Sequence, residues 1–152
     1  MRDLIRKRLT EYRAEALDSI ASAEAKTKSI HAGRGTSISS MCDRDISEDN
    51  KTGVAQYMDQ SADFIRHVAS GSAAEYADEL RDAANRLKQE IMAKTDNRNV
   101  KAQLDLALDK IINRKVEDFE LGYPSGKNMN ATTQNTVNII NSNPSSTVRF
   151  TK

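Results

Sequence analysis

Between residues 72 and 124 the chain carries two apolar stripes at helical spacing, separated by a short polar break, and this pattern limits the fold more than any other feature. Ala77, Leu80, Ala84, Leu87 and Ile91 recur in steps of three and four, which places them on one side of a helix. Asp78, Glu79, Arg81, Asp82, Arg86, Lys88 and Glu90 fill the other side as a solvated face. Lys94-Thr95-Asp96-Asn97 interrupts the stripe, and Asp96 or Asn97 offers an N-cap for the next helix. Val100, Leu104, Ala107, Leu108, Ile111, Ile112 and Phe119 form the second stripe. Gly122 suits a left-handed helix end, and Pro124 cannot continue the helix. At the other boundary, Ser72-Ala73-Ala74-Glu75 reads as a capping box. Two helices of about 23 residues, each roughly 35 Å long, joined by so short a break, must pack antiparallel.

The residues upstream supply two more helices. Over residues 3–30, Ile5, Leu9, Tyr12, Ala16, Ile20, Ala23, Thr27 and Ile30 make a coiled-coil-like seam. Over residues 48–70 the inner positions are Val54, Tyr57, Met58, Ser61, Phe64, Ile65 and Val68, with Gly53 weakening the first turns. The expectation is an all-α, antiparallel up-and-down bundle of about four helices over residues 1–121. A chain of 152 residues can bury such a core without disulfides or metals.

Charge narrows the function classes. The net charge is +1, divided between a tail after Glu120 with Lys127, Arg149 and Lys152 and no acid, and a remainder with 20 basic against 22 acidic residues. Neither part matches the strong basic face of a nucleic-acid-binding protein. Arg2, Arg6, Lys7, Arg8 and Arg13 are interleaved with Asp3, Glu11 and Glu15, so they read as a solvated face rather than a lipid or nucleic-acid patch. Cys42 is alone, which excludes an intrachain disulfide. No apolar run reaches the length of a membrane span, and the first residues lack a secretory apolar region. A cytoplasmic location is expected.

The loop Ala32-Gly33-Arg34-Gly35-Thr36-Ser37 is a candidate anion contact, through Arg34 and Ser37. It lacks the preceding strand and the Lys of a phosphate loop. Asp43, Asp45, Ser47 and Asp49 alternate as in a calcium loop, but Glu48 stands where Gly is required and Val54 where Glu is required. They read instead as acids at a helix start. His31 and His67 have no partner ligands at metal-site spacing, and Asp63 with His67 reads as a surface pair. No Gly-x-Ser-x-Gly elbow occurs. The chain is expected to be non-enzymatic, with no catalytic residues, no cofactor and no metal.

After residue 121 the composition changes. Residues 122–135 read as an Asn/Ser/Thr-rich linker. Residues 136–152 hold two alternating runs around the turn segment Asn141-Ser142-Asn143-Pro144-Ser145-Ser146. This predicts a β-hairpin with Val137, Ile139, Val148 and Phe150 on one face. A lone hairpin is marginal in water, so that face needs a partner. The first functional expectation is an interaction or assembly protein that forms a homo-oligomer through this tail, with the first helix contributing. The second is an adaptor that adds a strand to a partner's sheet. The third is a small effector or anion- or nucleotide-binding protein using the 33–37 loop, with Arg34, Ser37 and His31.

Overall fold

The structure, a computed structural model, describes residues 1–36 and 38–122. Met1–Glu120 forms one compact unit. It contains α1 (Arg2–Gly33), α2 (Ser40–Val68), a 3-10 turn at Ala73–Tyr76, α3 (Ala77–Lys94) and α4 (Arg98–Glu120). The expected all-α bundle of four helices is present, and the described residues include no strand. The expected hairpin, with Val137, Ile139, Val148 and Phe150, lies outside the described residues.

Polar cross-links give the helix directions. Between α1 and α2 the paired residues approach one another in sequence toward their connection, from Leu9 with Tyr57 to Thr27 with Asp49 and His31 with Asp45. That is antiparallel packing. Arg81 with Asn113 and Lys88 with Asp105 show the same for α3 and α4. Between α2 and α4 the separation stays nearly constant, 54 residues for Asp43 with Asn97 and 56 for Asp59 with Lys115, so these helices run parallel. Arg2 with Glu79 and Arg13 with Glu90 make α1 parallel to α3. The bundle is therefore two antiparallel hairpins laid side by side. Directions alternate along the chain as expected, while α1 has α2 and α3 as neighbours and α4 has the same two.

The apolar stripes of α3 and α4 are buried as their spacing predicts: Ala77, Leu80, Ala84, Leu87 and Ile91 on one, Val100, Leu104, Leu108, Ile112 and Phe119 on the other, with Val116 added. Asn97 is the α4 cap, its Oδ1 accepting from the amides of Asn99 and Val100. Gly122 adopts φ of 81°, the left-handed helix end. Near the α1 start, Tyr12 meets Phe64 edge-on at 6.0 Å between ring centres, and Arg8 lies over the same Phe64 ring.

Three expectations change. Ser72 does not cap a helix: its hydroxyl donates to Ala69 O, and the Glu75 amide meets the Ser72 carbonyl in a 3-10 turn. The backbone of Ser72 (φ −131°, ψ 20°) is not in the extended conformation that aims a capping oxygen at the first turn. Helix α2 begins eight residues before Glu48, because Ser39 is extended and its Oγ accepts from the Cys42 amide. Glu79 is not solvated. It is 8% exposed and held by the guanidinium groups of Arg2 and Arg6, which neutralise a carboxylate that burial alone would penalise. Lys88 likewise reaches across to α4. Burial disfavours its charge, but hydrogen bonds to Asp105 and Asp109 outweigh this and leave its pKa above the ordinary lysine value.

Gly53 sets the approach of α1 to α2. A methyl group built there would overlap Ile20 Cγ1 and lie 2.7 Å from Cδ1, so the Ile20 side chain rests on bare backbone. Gly→Ala inside an ordinary helix gains about 1 kcal/mol. Here the buried, β-branched Ile20 cannot swing aside freely, and overpacking costs about 1–3 kcal/mol. Gly53→Ala is predicted to lower stability by about 1 kcal/mol in urea unfolding; a gain would show that the two helices can separate at little cost.

Tyr57 lies in the same interface, its hydroxyl donating to Leu9 O at 3.2 Å. Burial pushes its pKa up to about 12. The folded state therefore holds this proton after the unfolded chain has released it. The Tyr57 contribution is complete below about pH 10 and is lost as pH rises toward 12. The stability difference between the natural chain and Tyr57→Phe is predicted to shrink by about 2 kcal/mol between pH 9 and pH 11.5. A difference that stays constant over that interval would place the hydroxyl in contact with solvent.

Candidate functional site

The corner between α1 and α2 brings together the most unusual chemistry of the bundle. Helix α1 ends at Gly33, and Gly35 takes φ of 73°, which reverses the chain. His31, in the last turn of α1, is 2% exposed. Its Nε2 lies 2.8 Å from Asp45 Oδ2 and its Nδ1 2.7 Å from Thr36 Oγ1. The Thr36 hydroxyl also donates to His31 O at 3.3 Å, which holds the loop against the end of α1. Both ring nitrogens are satisfied, and three segments are tied: the end of α1, the loop, and the second turn of α2.

This line of carboxylate, imidazole and hydroxyl has the order of a nucleophilic triad. Its surroundings make it a brace. The ring is sealed from solvent, and the nearby amides do not form an oxyanion site. The Arg34 amide donates to His31 O, the Gly35 amide to Ala32 O, and the Thr36 amide to His31 O at 2.8 Å. The same bonds engage the amides that an anion bound at the loop would need. Arg34 itself is exposed, so that reading rests on its side chain alone; Ser37 lies outside the described residues.

The alternating acids have separate structural partners. Asp43 accepts from Asn97 Nδ2, Asp45 holds His31, and Asp49 accepts from the Thr27 hydroxyl at 2.6 Å. Asn50 adds a tie by donating to Glu24 at 2.6 Å. Among the described residues no group of His, Cys, Asp and Glu is arranged to hold a metal ion. Cys42 is buried. Asp63 approaches Arg66, at 3.6 Å, and His67 is exposed.

While its polar groups face inward, the corner turns apolar side chains outward. Ile38 is 98% exposed, Met41 50% and Ile30 45%. Ile30 had the place in the seam that His31 occupies. A step of four from Thr27 lands on His31 and a step of three on Ile30; apolar preference favours the second, but the carboxylate at Asp45 decides for the first. The exposed basic residues Lys28, Arg34 and Arg44 belong to the same end.

A second candidate is a groove of about 350 Å³ between α1 and α3, lined by Arg6, Thr10, Arg13, Glu79, Asp82 and Arg86 among others. Three of its charged residues are paired within the fold, Arg6 with Glu79 and Arg13 with Glu90. No described helix is long and apolar enough to cross a membrane. Comparison of the chain with protein-family models, curated proteins and solved structures finds no match.

Two substitutions separate the brace from the surface it supports. His31→Ala removes both bonds and leaves a cavity, and is predicted to cost about 2–3 kcal/mol in urea unfolding. Ile38→Asp alters only an exposed side chain, so its cost should stay below about 0.5 kcal/mol. Equal losses in both variants would contradict this division.

Proposed function

We propose that the chain is a non-enzymatic interaction and assembly protein, with the bundle as a rigid body that presents docking surfaces. The observation that carries this reading is the exposed Ile38 on a corner whose neighbouring groups are fixed by His31, Thr36, Asp45 and the Ser39 cap. An exposed large apolar side chain adds nothing to its own core. On a braced corner it loses little conformational entropy when another surface covers it.

The tail supports the same reading from the sequence. Val137, Ile139, Val148 and Phe150 alternate with polar residues, a pattern suited to pairing with strands of further copies in a homo-oligomer. Strand addition to a different protein is the second reading, favoured by the single short hairpin that the tail would supply.

Light scattering coupled to size-exclusion chromatography tests assembly directly. The full chain is predicted to have a mass at least twice that of a version ending at Pro124. Equal monomeric masses would overturn self-association through the tail and leave strand addition to a partner.

A further inference from the structure

The partner of the braced corner follows from its charge and shape. The α1–α2 corner and the α3–α4 connection lie at one end of the bundle, joined by the hydrogen bond between Asn97 and Asp43. Lys26, Lys28, Arg34, Arg44, Lys94, Arg98 and Lys101 are all exposed there. The acids at this end are fewer. Asp43 is buried against Asn97, Asp45 is bound to His31 with Arg44 at 3.9 Å, Asp49 is tied to Thr27, Glu24 to Asn50 and Glu48 to Lys51, and Asp96 is exposed. Helix termini do not offset the excess, because two N-termini and two C-termini meet here and their partial charges oppose.

From this basic end project Ile38, Met41 and Ile30. We propose that this end of the bundle docks on an anionic lipid bilayer, with Ile38 entering the headgroup and acyl boundary and the surrounding Lys and Arg side chains pairing with lipid phosphates and carboxylates. This rests on the reading of the corner as a docking surface. The combination selects the partner. A bilayer accepts a protruding apolar side chain without a matching pocket and supplies negative charge around it. A nucleic acid would satisfy the cations but offers Ile38 no apolar layer. A protein partner would need a socket for a residue that stands almost wholly clear of its own chain.

Sedimentation of the full chain with vesicles tests the proposal. One set is phosphatidylcholine alone and the other contains phosphatidylserine. Binding is expected only to the second set, falling steeply as salt rises from 0.1 M to 1 M and screening shortens. Each basic residue near the surface is worth about fivefold in affinity, so Arg34→Gln with Arg44→Gln should weaken binding about 25-fold. Ile38→Ser, which leaves the charge unchanged, should weaken it at least about tenfold. Circular dichroism confirms that both variants remain helical. Loss with the arginine pair and none with Ile38→Ser would mean charge alone, the behaviour of a nucleic-acid surface, and would overturn the proposal; a duplex-DNA arm identifies that case. No binding to anionic vesicles, or equal binding to both sets, would also overturn it. The broader docking reading has its own readout: a change in solution mass on Ile38→Ser without vesicle binding would keep the corner as a protein contact and reject lipid. No change in either measurement rejects both.

Discussion

The buried ring of His31 is the constraint on which the useful part of this bundle depends. A histidine sealed from water must have both nitrogens satisfied, and here one meets the Asp45 carboxylate and the other the Thr36 hydroxyl. Those two bonds fix how α1 ends, how the loop leaves it, and where α2 begins. Once His31 occupies the inward position, Ile30 is turned outward, and the turn through Gly35 carries Ile38 away from the core. The exposed corner is thus a consequence of how one polar side chain is buried.

The rest of α1 and α2 extends the same logic. Thr27 with Asp49 and Asn50 with Glu24 continue the polar ties, and then Gly53 lets Ile20 rest on the α2 backbone. Further along, Tyr57 closes on Leu9 O. The ties nearest the corner are polar, and the packing of Ile20 and Tyr57 follows farther along. At the opposite end Glu79 is buried only because Arg2 and Arg6 reach it, which accounts for two of the basic residues that crowd the N-terminus.

Periodicity alone made α3 and α4 legible, because every buried position on them except Glu79 is apolar, and Asn97 and Gly122 mark the two ends of α4. The start of α2 was hidden for the opposite reason. Its first turns bury or tie down Asp43, Asp45, Ser47 and Asn50, and polar residues on an inward face look like a loop when only hydropathy is read. The capping box at Ser72 failed because the motif specifies side-chain chemistry, whereas the backbone there closes a 3-10 turn. The candidate site was legible in part. The loop and Arg34 were visible, but the pairing of His31 with Asp45 spans 14 residues and joins two helices, so no local spacing announces it. The step of four from Thr27 was the available signal.

The corner is fixed as well as exposed, and backbone nitrogen relaxation measures this directly. Order parameters for Arg34, Gly35, Thr36 and Ser39 are predicted to match the adjoining helices, near about 0.85. Values below about 0.6 at these amides would mean that the His31 bonds do not hold the turn, and would contradict the account at its base.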